Sequence, residues 1–262
     1  MIDPQTLEAV ATQHFQQTHP PARGPEIRAR VREWLESPAR SLERAADFLR
    51  HVGPIEAQDL LDLGCGCGLT ALAFARLGGR VSGVDTDPRL VDIALRLTRD
   101  GAIPAPALRA WDGRALPFPD SSFDAAYAIG ALERAAYPER LLSEGSRVLR
   151  PCGRLMVIVP NRLFPFEPQT RLWGLPWLPA AAADLWARSR GRRAASGPRL
   201  RFHTRLSVLR LVRELDLPLR PLPPGRPPGG TPAPPWSVAG ALAACRSSLA
   251  PEIRIVFEKS AP

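Results

Sequence analysis

The chain of 262 residues is long enough to bury the core of one sizeable α/β domain with a decorated edge. With 45% apolar and 23% charged residues it has the balance of an ordinary soluble globular protein, which excludes wholesale disorder outside its proline-rich stretches. The formal net charge of +9 comes from scattered arginines and a single lysine, Lys259; this is a compositional bias rather than a clustered basic face, and a nucleic-acid partner is not expected.

Residues 1–56 contain no strand-like run. There "RARVREWLE" and "SLERAADFLRHV" space apolar residues helically with basic residues between, which predicts a helical N-terminal preface. The opening "MIDPQTLEAV" lacks the basic and then apolar layout of a secretion signal, and no apolar run reaches bilayer length, so a cytoplasmic protein is expected. Residues 57–262 read as one domain in which short aliphatic runs alternate with amphipathic helices: "DLLDL", "TALAFARLG", "RVSGVD", "PRLVDIALRLTRDG". Strands separated by helices imply crossovers and a mostly parallel, doubly wound sheet. The rhythm continues through strands "PALRA" and "FDAAYAI", helix "PERLLSEGSRVL" and a fifth strand "RLMVIV".

After Asn161 the alternation stops. Residues 161–200 begin aromatic and proline-rich and end basic, which reads as an insertion with a short helix near 180–188. A helix "TRLSVLRLVREL" and a sixth strand around 217–222 follow, and 218–235 is an extended loop rich in Pro and Gly. The β-branched "PEIRIVFEK" predicts an antiparallel last strand forming a hairpin edge. Of the four cysteines, Cys65, Cys67, Cys152 and Cys245, none forms a C-x-x-C pair or has a histidine at ligand spacing, so neither a metal site nor a disulfide framework is expected. Cys65 and Cys67 read as small fillers among glycines.

The chemistry concentrates at "LLDLGCGCGL", residues 60–69. A glycine-rich turn from a first strand into a helix lets main chain approach a ligand closely. A nucleoside-triphosphate loop needs Lys-Ser/Thr after its last glycine, and here "GLTAL" follows. A dinucleotide fingerprint needs glycine or alanine where Leu69 stands, which argues against a nicotinamide oxidoreductase. The spacing is instead Asp62, Gly64, Gly66, Gly68. About twenty residues past Gly64, "VSGVD" ends the second strand with Asp85, placed to accept from both hydroxyls of a ribose. Asp112 in "AWDG" ends the third strand, where a carboxylate accepts from the exocyclic amine of a purine.

These stations resemble the class I S-adenosylmethionine-dependent methyltransferases, in the group acting on small molecules, through "LDLGCGCG" (61–68), "GVD" (83–85), "ALPFPDSSFD" (115–124) and "VLRPCG" (148–153). The resemblance covers about 58–160 and implies a Rossmann-like fold with S-adenosylmethionine as cofactor. It implies that Gly64, Cys65 and Gly66 meet the cofactor's methionine part with Asp62 near its ammonium group. It further implies Asp85 at the ribose, Thr86 near the adenine, Asp112 and Gly113 at the adenine edge, and Ile129 with Gly130 lining the methionine side. The chain departs from the pattern at three places. Trp111 is larger than the usual residue before the adenine-reading Asp, Arg134 stands where many relatives have His, and Cys152 replaces a glycine.

The activity implied is methyl transfer, to oxygen of a small apolar acceptor; a binding subunit that holds the cofactor without turning it over is the alternative. The fourth strand lacks the Asn/Asp-Pro-Pro-aromatic motif of enzymes that methylate base amines. A phenolic acceptor requires a base, for which His203 and Glu133 are the candidates, with Tyr137 and Glu167 behind them; imidazole changes charge near neutral pH. Phe164, Phe166, Trp173, Trp177 and Trp186 in the insertion suit a lid over an apolar acceptor or over one presented at a membrane surface, which would bring a peripheral membrane-surface contact, and equally a satellite core. The "RGRR" at 190–193 reads as a solvated turn or a contact for acidic head groups.

Overall fold

A computed structural model describes residues 37–98, 105–167, 172–190, 202–223 and 250–261. The first predicted preface helix, most of "RGRR", Cys245 and the loop from 224 to 235 lie outside the described residues. Two compact units divide the chain, Met1–Asp112 and Gly113–Pro262.

In the first unit the strands β1 (Asp59–Leu63), β2 (Arg80–Asp85) and β3 (Ala107–Ala110) are all parallel, in the order β3-β2-β1, with Leu61 opposite Ser82 and Gly83 opposite Leu108. Leu60, Leu61 and Leu63 are fully buried and Asp62 between them is buried too, as expected of a parallel strand covered on both faces. Helices α1 (Ser37–Val52), α2 (Leu69–Arg76) and α3 (Pro88–Thr98) connect or flank them. The preface helix α1 is packed on α2, where Phe48 and Phe74, both fully buried, meet edge-on at 4.9 Å and the Thr70 hydroxyl donates to Ser41 Oγ at 3.4 Å. Helix α3 begins where Asp87 Oδ1 accepts the Arg89 N–H at 2.9 Å and Pro88 brings no N–H to satisfy.

The second unit contributes four strands in the order β4-β5-β9-β8. Strand β4 (Phe123–Ile129) runs parallel to β5 (Leu149–Pro160), helix α4 (Pro138–Val148) joins them, and β9 (Glu252–Lys259) is antiparallel to β5. The seven strands are thus mostly parallel with an antiparallel end, a Rossmann-like α/β fold. The last strand is not itself the edge: β8 (Leu219–Pro221) pairs outside it. Burial explains the order, because Ile253, Ile255, Val256 and Phe257 fill an interior strand. The three-residue β8 ends in a proline without an N–H, which suits an outer position.

Between β5 and α6 (Arg205–Glu214), the insertion forms a small hairpin of β6 (Phe166–Glu167) and β7 (Leu172–Trp173), a 3-10 turn (Leu175–Trp177) and α5 (Ala180–Ser189). Its neck is a single parallel bridge between Asn161 and His203, reinforced by the Arg162 N–H donating to His203 O at 2.9 Å. Asn161 is buried and fixed on both sides, its amide donating to Ala250 O at 2.7 Å and its Oδ1 accepting the Leu163 N–H at 3.0 Å.

Two of the motifs that carry the resemblance are tied together here. Arg147 on α4 donates twice to Glu144, at 2.7 and 2.9 Å, and also to Asp120 Oδ1 at 2.6 Å and Phe118 O at 3.0 Å. Glu144 Oε2 in turn accepts the Leu116 N–H at 2.7 Å. The loop "ALPFPDSSFD" is therefore clamped to the helix that leads into "VLRPCG". Lys259 closes the end of α4, donating to Arg147 O at 3.3 Å and Leu149 O at 2.6 Å, and burial lowers the pKa of its ammonium.

Hydrogen bonding to Arg147 holds the Glu144 carboxyl below its ordinary range despite partial burial. A carboxyl with a lowered folded-state pKa stabilises fully above its unfolded value, about 4.3, and loses that contribution as pH falls. Glu144→Ala is expected to cost about 2 kcal/mol at pH 7, and in urea unfolding the gap from the parent narrows below about pH 4. At the start of β5 the backbone is strained: Cys152 has φ +62°, while a Cβ on Gly153 would sit 2.8 Å from Arg150 O and 3.0 Å from Asp124 O. A side chain in the left-handed region costs about 1–2 kcal/mol, so Cys152→Gly is expected to raise stability by up to about 1 kcal/mol in the same assay.

Candidate active site

Within the first unit the glycine turn is held against the end of β2. The N–H groups of Gly64 and Cys65 both donate to Val84 O, at 2.8 and 2.9 Å, Gly66 N–H donates to Asp85 Oδ2 at 2.8 Å, and Gly68 N–H donates to Cys65 O at 2.8 Å. A phosphate cradle needs such hydrogens free, and here four are used internally. What the turn offers a ligand is space. Gly66 has φ +52°, and a Cβ built on it would meet nothing within 4 Å. Gly68, by contrast, has φ +74° and is closed in, since a Cβ there would lie 2.9 Å from Leu108 Cδ1 and 3.0 Å from Ala94 Cβ. Asp62 is 3% exposed and close enough to Cys65 to disfavour its thiolate.

The two cysteines are packing groups. Cys65 is buried against Gly83, where a Cβ would come within 2.9 Å of Cys65 Cβ and 2.7 Å of Leu108 Cδ2. Burial, then the charges of Asp62 and Asp85, push the Cys65 thiol far up, and burial pushes Cys67 up to about 11. Neither is a thiolate at neutral pH, so neither has the form that reacts or ligates.

Asp85 gathers the other stations of this unit. Its Oδ2 accepts from Gly66, its Oδ1 accepts the Asp87 N–H at 2.9 Å, and its carbonyl accepts the Trp111 N–H at 2.8 Å. Trp111 is buried and fixes the residue after it, so exposed Asp112 stands at the same strand end as Asp85 and exposed Thr86. Desolvation raises the Asp85 pKa and the two N–H donors oppose this. A carboxylate has about four acceptor sites, so two main-chain donors leave capacity for hydroxyls.

In the second unit Gly113 opens the chain and is half-buried. Ile129 ends β4 opposite Ile158, and Gly130 N–H donates to Ile158 O at 2.9 Å. Glu133 is 2% exposed and folds back on this strand end, with Oε1 3.4 Å from where a Gly130 Cβ would be and 4.0 Å from Arg134 Nε. Tyr137 is exposed. His203 is half-buried at the insertion neck, its Nδ1 3.5 Å from Ser207 Oγ. It lies beyond the carboxyl end of β5, the end at which Ile129 and Gly130 leave β4. Ligands of open α/β sheets bind at carboxyl strand ends. Exposed Cys152 lies at the opposite end of β5.

The insertion buries Leu175, Pro176 and Ala187, while Trp173, Trp177 and Leu185 are 67%, 57% and 71% exposed. Phe166 and Trp173 meet across the hairpin with their rings tilted by 56° and their centroids 5.4 Å apart. Ser207 was not singled out in the sequence. It completes a reciprocal cap with Thr204, the Ser207 N–H donating to Thr204 Oγ1 at 3.1 Å and the Thr204 N–H to Ser207 Oγ at 2.9 Å, and the T-x-x-S spacing was the signal for it.

This chain is similar to known proteins. A family model described as a methyltransferase domain matches residues 61–157, which take in the glycine turn, Asp85, Asp112 and Gly130. A demethylmenaquinone methyltransferase of Tropheryma whipplei is 37% identical over 107 residues, 40% of this chain and 43% of that one, so the chain spans less than half of that relative. An uncharacterized methyltransferase of Mycobacteroides abscessus is 30% identical over 203 residues, 64% of this chain and 78% of its own length. Among solved structures, the YcgJ protein of Bacillus subtilis superposes with a TM-score of 0.56 at 19% identity, covering 86% of this chain and all of that one. On the glycine turn, the matched domain and the extended relative, the chain belongs to the class I S-adenosylmethionine-dependent methyltransferases.

Proposed function

We propose that this chain is a cytoplasmic enzyme that transfers the methyl group of S-adenosylmethionine to an oxygen of a small apolar acceptor. The observation that carries the reading is the Asp85 carboxylate, bonded to the Gly66 N–H and still able to accept hydroxyls at the open face of the glycine turn. The residues fit the cofactor. Its ammonium group needs acceptors rather than donors, and Asp62 and the turn's carbonyls supply them where amide hydrogens are already used. Asp85 takes the ribose, with Thr86 beside the adenine and Asp112 and Gly113 at its edge. Ile129 and Gly130 line the methionine side. When bound, the cofactor supplies an electrophilic methyl on a sulfonium.

The protein's part is then geometric and protic. Holding an acceptor oxygen in line at about 3–3.5 Å supplies several kcal/mol of the barrier. An acceptor hydroxyl with a pKa near 10 must lose its proton, and His203, on the neck of the insertion and braced through Ser207, is our base. Glu133, buried behind Gly130, holds the acceptor side of that strand end in shape. An apolar acceptor is supported by the relative named for demethylmenaquinone and by the aromatic composition of residues 163–186.

Two variants test this. Asp85→Ala is expected to raise the dissociation constant for S-adenosylmethionine at least tenfold, about 1.4 kcal/mol, by calorimetry; unchanged affinity in a folded variant removes Asp85 from the ribose. His203→Gln is expected to lower kcat about 100-fold in an S-adenosylhomocysteine assay over phenols, quinols and lipids, with cofactor affinity retained. Tight cofactor binding by the parent protein with no product across that panel assigns the chain to the non-catalytic binding role instead.

A further inference from the structure

Exposed apolar surface is not spread evenly over this protein. Among the described residues, seven of the ten large apolar side chains that stand in solvent lie between Leu163 and Leu206, in the insertion and at its neck. Large contiguous apolar exposure marks a surface that meets something. Helix α5 is the centre of it: only Ala187 is buried on its described face, and Leu185 and Trp186 are exposed. The 3-10 turn that packs beside it presents Trp177, and the hairpin presents Trp173.

The charge on this surface is one-sided. From Trp173 to Arg193 the sequence has four arginines and a single acid, Asp184, which Arg188 engages at 2.7 Å. Arg190 lies over the Trp186 ring, its guanidinium carbon 4.5 Å from the centroid. Tryptophan bodies with arginine heads alongside are the composition that settles at the boundary between acyl chains and head groups. Because Arg188 is paired with Asp184, the excess positive charge rests on Arg190 and on Arg192 and Arg193, which follow it in the sequence. No described helix is long and apolar enough to cross a membrane, so the contact is one of lying on the surface.

We infer that residues 173–190 dock this chain onto the surface of an anionic phospholipid bilayer, with Trp173, Trp177, Leu185 and Trp186 entering the head-group boundary and Arg188 and Arg190 meeting lipid phosphates. The inference rests on the proposed reading for its purpose, because an apolar acceptor dissolves in the bilayer and is met there. Attraction of a few arginines to an anionic leaflet is modest, which makes the contact reversible and salt-sensitive.

The test is co-sedimentation of the full chain with vesicles of phosphatidylglycerol and phosphatidylcholine against vesicles of phosphatidylcholine alone. Binding is expected to the first and to be at least tenfold weaker for the second and at high salt. The triple variant Trp173→Ala, Trp177→Ala, Leu185→Ala is expected to bind the anionic vesicles at least tenfold more weakly, and Arg188→Gln with Arg190→Gln to erase the lipid-charge preference. Calorimetry of S-adenosylmethionine on the same variants reports folding and the cofactor reading separately. Absence of vesicle binding by a chain that binds the cofactor overturns the docking surface alone. So does undiminished binding by the triple variant, or sedimentation velocity showing that these side chains instead join two copies of the chain.

Discussion

The acid at the end of the second strand organises the first unit. Asp85 receives three main-chain hydrogens, from Gly66 and Asp87 on its carboxylate and from Trp111 on its carbonyl, so that the glycine turn, the start of α3 and the end of β3 are all indexed to one residue. This is expensive in desolvation, which is why its pKa is raised, and the two N–H donors to the carboxylate offset part of that cost. The arrangement also consumes the hydrogens that would otherwise invite a phosphate. What such a turn leaves exposed is carboxylate and carbonyl acceptors rather than amide donors.

The motifs in the second unit have a different purpose. The residues of "ALPFPDSSFD" and "VLRPCG" are joined to each other through the Glu144–Arg147 pair, with Lys259 anchoring the last strand to the end of α4. Their contribution is to set where β4 ends, and hence where Ile129 and Gly130 stand relative to β5. A sequence motif can thus be diagnostic of a family through architecture alone. Cys152 illustrates the cost of departing from one, since it stands in a left-handed backbone where the resembled pattern has glycine.

The insertion is the least constrained by the sheet. Among the described residues it leaves at Asn161 and returns at His203 through one bridge, and its own packing is small, around Leu175 and Ala187. Trp173 and Trp177, each more than half exposed, stand outside that small core. The same neck brings His203 to the carboxyl end of β5.

The order and kind of the elements were written in the sequence, because parallel strands buried on both faces read as aliphatic runs and connecting helices read as period-3.6 patterns. So was the cofactor, through glycines and acids whose spacing reflects the rise of two strands and one turn. What the sequence did not carry is partnership across long separation. That the β-branched tail is an interior strand with β8 outside it depends on which neighbour it finds, and that His203 meets Asn161 depends on closing a long excursion. That the glycine turn's amides are used internally rests on Val84 and Asp85, some twenty residues away. Local pattern fixes which residues are buried or turned; only the packed chain decides which of them touch, since hydrogen bonds between distant segments leave no period in a sequence.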